Sequence, residues 1–158
     1  QRKSNSSYSL HNERFMITEK NSQLLQYATF YYLRLLSLQP RVREAAEMKW
    51  KDDDLVFHSN ILEIQSGIES VIVGTIFKEM KLKPCILENL LGVLGTKKFK
   101  SGMYVGEDDY CVLEDSSGRI RIRNGEVFHS SYFVTGSVVA LRGISDSNGY
   151  FTVFDYTY

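Results

Sequence analysis

The chain has 158 residues, room for one well-buried core with an appendage but too few for two full domains. Nineteen basic side chains cancel nineteen acidic ones. That balance excludes the bulk electropositivity that drives non-specific phosphate binding, so any nucleic-acid surface must be local. Hydrophobic residues at 43% and charged residues at 24% also exclude a disordered or fibrous class.

Aromatic residues reach 13%, with ten Tyr and nine Phe against one Trp. Such a set fits either contact surfaces, where Tyr is favoured, or a β-rich core. No run of about 18 apolar residues is present, and polar Gln1–Ser7 lacks the apolar core of a signal peptide, so a soluble chain without membrane contact is expected. Asn5-Ser6-Ser7 matches the glycosylation pattern, which without a secretory signal reads as a chance match. Cys85 and Cys111 are too few and too distant for a disulfide framework or a thiolate metal site. Each sits among apolar residues, where Cys behaves as a small hydrophobe, and a reducing intracellular compartment fits best.

The first element is a helix starting near Asn21 or Ser22, either a competent N-cap, and running from Ser22 to Leu38. Its apolar residues, among them Tyr27, Phe30, Tyr31, Tyr32, Leu33, Leu35 and Leu36, occupy most of the circumference. One-sided packing needs only a stripe, so the excess predicts cover on more than one side. Pro40 is placed to open a second helix, Arg41 to Trp50, with a narrow apolar set of Val42, Ala45, Ala46 and Trp50. Lys51-Asp52-Asp53-Asp54 then reads as a solvated break, dividing a tail and helical arm at 1–54 from a β domain at 55–158.

After Gly67 the period becomes strand-like. Glu69 to Phe77 is rich in β-branched residues and apolar on both alternating faces, as expected of a strand covered on each side. Pro84 introduces a short helical segment carrying Ile86, Leu87, Leu90, Leu91 and Leu94 and closed by Gly95. Tyr110–Leu113 and Arg119–Arg123 form a predicted hairpin across Ser116-Ser117-Gly118, with Ile120 and Ile122 on one face and Arg119, Arg121 and Arg123 on the other. Val138–Ile144 and Tyr150–Phe154 make a second hairpin across Asp146-Ser147-Asn148-Gly149. The fold class is mainly β with an N-terminal α-helical arm, most economically a five-stranded OB-type barrel. An SH3-like barrel or a sandwich fragment would give nearly the same pattern.

The sequence offers no constellation for catalysis, and no cofactor is expected. His11, His58 and His129 lie far apart without metal-ligand spacing, no Ser occupies a nucleophile elbow, and no glycine-rich loop opens a helix after a strand. Asp108-Asp109 and Glu114-Asp115 are neighbours on or beside strands, where successive side chains diverge, so solvated strand ends are expected of them. Thr96 to Tyr104 does resemble a nucleic-acid surface, with Lys97, Lys98 and Lys100 for phosphates and Phe99 and Tyr104 for base stacking. A solvated loop is its other reading. The row Arg119, Arg121 and Arg123 is likewise either a solvated face or a rigid set of guanidinium groups able to pair with a partner's carboxylates.

Val71-Ile72-Val73-Gly74-Thr75-Ile76-Phe77-Lys78-Glu79-Met80, then Leu82-Lys83-Pro84 and Ile86-Leu87, closely resembles a stretch of the small (second) subunit of eukaryotic DNA polymerase delta. Asp108-Asp109, Leu113-Glu114-Asp115, Arg119-Ile120, Phe133 to Val138 and Phe151 to Tyr156 are similar to that family in order and spacing. Arg14-Phe15 and the helix around Gln26-Tyr27 also fit its N-terminal arm, so the resemblance spans most of the chain. It implies a non-catalytic nuclear scaffold in DNA replication and repair, an OB domain gripping the polymerase catalytic subunit on one side and a third accessory subunit on another. DNA would be met only through the complex, and no small-molecule substrate is implied. The histidine and aspartate motifs of the family's phosphoesterase-like domain have no counterpart here. Tyr27, Tyr31, Tyr32, Arg119, Arg121 and Arg123 become the expected partner interface. The alternative is a free-standing OB module binding single-stranded nucleic acid through Lys97, Lys98, Phe99, Lys100 and Tyr104.

Overall fold

The computed structural model describes residues 7–13, 16, 26–51, 53–83 and 104–158. Its helix, α1, runs Tyr27–Lys49, with Gln26 extended at the N-cap and donating no side-chain cap. The expected cap at Asn21 or Ser22 lies outside the described residues, as does the segment expected after Pro84. Two helices were expected, broken at Pro40, but α1 is continuous with Pro40 inside it. Proline removes the bond to the carbonyl four residues earlier, that of Leu36. Leu36 and Pro40 are both exposed, so the lost bond lies on the water side, where solvent can satisfy the carbonyl.

The strands are β1 (Val56–Phe57), β2 (Glu69–Glu79), β3 (Tyr110–Glu114), β4 (Arg119–Arg123), β5 (Val138–Ser145) and β6 (Tyr150–Thr157). They form a six-stranded sheet in the order β1-β2-β3-β4-β6-β5, with β2 also paired to β5. The sheet thus has six strands, one more than the five expected, and β1 is the strand the sequence pattern did not reveal. β1 has two residues, too short to show any period, and runs parallel to β2 with Val56 opposite Ser70 and Phe57 opposite Val71. A second parallel pairing joins β4 to β6. Both predicted hairpins are present as antiparallel pairs, β3–β4 and β5–β6, and β6 continues beyond the expected Phe154.

β2 explains its double-sided apolar pattern, since residues 70–76 are all buried. Ile72 and Ile76 enter a core with Cys111, Leu113, Ile122, Phe128, Leu141 and Phe151. Val71 and Val73 face the other way, into a second core with Leu35, Val42, Ala46 and Trp50 of the arm and Val138 and Ala140 of β5. α1 therefore completes a core of the sheet. β4 alternates exposed and buried as its sequence does.

Two glycines allow close strand crossing. A Cβ at Gly74 would sit 2.7 Å from the Leu113 Cγ, and one at Gly143 would overlap the Thr152 carbonyl oxygen. Gly143 stands where the β5–β6 register shifts, so the bend in β5 depends on an absent side chain.

Candidate functional site

The arginine row is held from within. Arg119 pairs with Glu114 at 3.2 Å and Arg123 with Asp146 at 2.6 Å. The Arg121 guanidinium lies 3.7 Å from the centre of the Tyr110 ring and 5.4 Å from that of Tyr150, while Arg123 is 4.7 Å from Tyr150. Cross-strand register produces this ladder, because Arg121 stands opposite Val112 on one side and Tyr150 on the other. All three arginines are exposed on one face, so they present a rigid, partly neutralised surface.

Of the acidic residues expected at solvated strand ends, Asp108 is solvated and Glu114 partly so, whereas Asp109 and Asp115 are a correction. Asp108 is exposed and pairs with Lys81 at 2.6 Å, and that contact holds its carboxyl below the usual range. Asp109 is buried, with Oδ2 accepting from the Gly106 N–H at 3.2 Å and Oδ1 lacking a hydrogen-bond partner. Asp115 accepts from the Ile61 N–H at 2.7 Å, the Ser117 N–H and hydroxyl at 2.7 Å each, and the Gly118 N–H at 3.0 Å. Turn geometry turns the Asp109 and Asp115 carboxylates inward, which a strand-end reading could not show.

The aromatic arm divides. Tyr27 lies in α1; Tyr31 is half-buried with the Arg34 guanidinium 5.8 Å from its ring centre, and Tyr32 is 47% exposed. The helix carries a second apolar face turned from the sheet, with Phe30, Leu33 and Leu36 at 55%, 49% and 46% exposure. Between the first turns of α1 and the sheet opens a groove of about 400 Å³. Ala28, Tyr31, Tyr32 and Leu35 line it from the helix, Thr75 and Phe77 from β2, and Glu114 and Asp115 from the end of β3 and its turn. So the structure brings Tyr31 and Tyr32 to one groove and sets the arginines on a separate strand face.

Sequence reasoning missed Ala28, Phe77 and Glu114 as groove residues. A faint signal existed. Ala28, Leu35 and Val42 recur at seven-residue steps, which puts them on one helix face, and a small residue at the head of that row leaves space.

Of the proposed nucleic-acid loop, Lys97, Lys98, Phe99 and Lys100 lie outside the described residues, and Tyr104 is 50% exposed. Among the described residues no group of three or more His, Cys, Asp or Glu could hold a metal, and no helix is long and apolar enough to cross a membrane. Cys111 is buried, and desolvation pushes its thiol up to about 11.

A helix packed on a mixed sheet recurs in many proteins, so kinship rests on the chain as a whole. The model of the DNA polymerase delta subunit OB-fold domain matches residues 26–156, from the residue before α1 almost to the end of β6. The chain belongs to the DNA polymerase delta subunit OB-fold domain family. The DNA polymerase delta small subunit of Arabidopsis thaliana is 36% identical over 151 residues, 95% of this chain and 33% of its own length. The protein of the same name from Saccharomyces cerevisiae is 31% identical over 142 residues, 84% of this chain and 29% of its own. DNA polymerase delta subunit 2 of Drosophila melanogaster is 30% identical over 138 residues, with shares of 82% and 30%. The chain thus spans about a third of the length of these relatives. Within the polymerase delta family match, α1 is included together with the sheet. Arm and sheet are accordingly matched together, in keeping with the core they share.

Proposed function

We propose that this chain is the arm and OB domain of a non-catalytic accessory subunit of nuclear DNA polymerase delta. It bridges the catalytic subunit and a third accessory subunit in DNA replication. Residues 1–54 supply the tail and arm and 55–158 the OB domain. The cycle of pairings β2–β3–β4–β6–β5–β2 supports a closed five-stranded barrel, with β1 outside it as an added strand.

The observation that carries the scaffold reading is the second face of α1. Leu35, Val42, Ala46 and Trp50 satisfy the sheet, yet Phe30, Leu33 and Leu36 remain exposed opposite them. An apolar row on a helix already packed on its other side marks a surface that a further chain covers. Tyr31 and Tyr32 beside it extend that surface, and the arginine row is a second contact face.

The test is co-expression of the chain with a DNA polymerase delta catalytic subunit and a third subunit, followed by affinity capture. Wild type should retain partner. Phe30→Asp with Leu33→Asp should reduce capture at least about tenfold while the melting temperature stays near that of wild type, because both side chains are about half exposed and belong to neither buried core of the described residues. Unchanged capture by the double variant removes the helix from the interface. Salt-sensitive retention of a single-stranded oligonucleotide, with no protein partner held, would replace the scaffold reading with the nucleic-acid module.

A further inference from the structure

The row of α1 that faces the sheet does not close at its N-terminal end. Leu35 and Val42 are 5% and 6% exposed, but Ala28, seven residues before Leu35 and on the same side, is exposed. The groove of about 400 Å³ occupies the space in front of it, over Phe77 and Thr75. A volume of that order takes one or two large side chains. Among the described residues, the charges lining it are the carboxylates of Glu114 and Asp115. The four hydrogen bonds of Asp115 are internal, whereas Glu114 among the described residues pairs with Arg119 at 3.2 Å, whose side chain is 68% exposed. An exposed pair of this kind contributes little and exchanges readily for another cation.

From this we infer that the groove is a docking site for a protein segment that inserts a large apolar or aromatic side chain between Ala28 and Phe77 and places an adjacent Lys or Arg against Glu114. Charge complementarity selects this occupant: an acidic flank on the incoming segment would meet two carboxylates, with no cation among the described residues that line the groove. Tyr32, 47% exposed beside the groove, adds a ring that can cover the inserted side chain. The site deepens the accessory reading by giving the chemistry of one partner segment. It does not depend on which subunit supplies that segment.

Selection of peptides from a random displayed library on the folded chain tests it without any polymerase subunit. Recovered peptides should share a large apolar residue next to Lys or Arg. Ala28→Trp, which fills the groove from within, should weaken them at least about tenfold, and Glu114→Lys should weaken them several-fold and shift the selected flank from basic to acidic. Circular dichroism and melting of each variant establish that it is folded; should Ala28→Trp fail to fold, the flank reversal in Glu114→Lys decides alone. Failure to enrich peptides, enrichment without the apolar-basic pair, or peptides indifferent to both substitutions would overturn the proposal. Failure of the wild-type chain to capture polymerase subunits, with the selected pair intact, would overturn the accessory reading and leave the groove standing.

Discussion

At the scale of single residues, the fold relies on groups whose role is set by what they touch rather than by their type. Asp115 gathers three backbone N–H groups and one hydroxyl, and through the Ile61 N–H it ties the 3₁₀ turn Ile61–Glu63 to the β3–β4 turn. Asp115→Ala should lower stability by about 2–3 kcal/mol, since donors are left without acceptors; the urea midpoint measures it. Gly143 is a case of the opposite kind, where nothing can be added. Gly143→Ala pushes a methyl into the Thr152 carbonyl and the Phe151 ring, and should cost at least about 3 kcal/mol or prevent folding, read by the yield of folded protein and its melting temperature.

At the scale of elements, the C-terminal end of α1 is fastened to β6. Trp50 Nε1 donates to Asp155 Oδ2 at 2.9 Å, and the Lys49 ammonium donates to Asp155 Oδ1 at 2.7 Å and to the Tyr156 carbonyl at 2.8 Å. Burial alone would raise the Asp155 pKa, but the hydrogen bonds from Lys49, Trp50 and the Tyr156 N–H outweigh it and hold the carboxyl below its ordinary 3.8. A depressed folded pKa gives stability that is whole above the unfolded value and lost as pH falls through the folded one. Asp155→Asn should therefore melt lower than wild type at neutral pH, and the gap should close below about pH 4, followed by thermal melts across pH. How much of this was legible in the sequence follows from range. Period-two alternation in Arg119–Arg123 and the Asp146–Gly149 turn are local, and both hairpins could be read directly. β2 was read as doubly covered because both faces are apolar, although what covers them was not visible. The continuity of α1 across Pro40 was hidden, because it depends on which side of the helix faces water. β1 was hidden because two residues carry no period. The groove was hidden because its walls, Ala28, Phe77 and Glu114, meet only through the tertiary fold.

At the scale of the whole molecule, β2 is the shared wall between two cores, one inside the sheet and one beneath α1. Cys111 sits fully buried in the first, with its thiol pushed up to about 11. Its alkylation at pH 8 in the native state should therefore proceed only through global opening. In a Cys85→Ser background, the labelling rate of Cys111 should fall in step with stability across the variants above; fast labelling of folded protein would show that the inner core opens locally.

The fastening of α1 to β6 also sets an order of events during synthesis. Trp50 and Asp155 are 105 residues apart. At about 5–20 residues per second, roughly 5–20 s pass between the emergence of the helix and that of the strand that anchors it. Until β5 emerges, the face bearing Val42, Ala46 and Trp50 lacks Val138 and Ala140 from its cover, and until β6 emerges the helix end lacks its anchor, while the face bearing Phe30 and Leu33 stays open throughout. A nascent chain at this stage presents two apolar stripes of one helix, separated by polar residues such as Arg34, Arg41 and Glu44, and in that form a chaperone or an early-arriving subunit meets it.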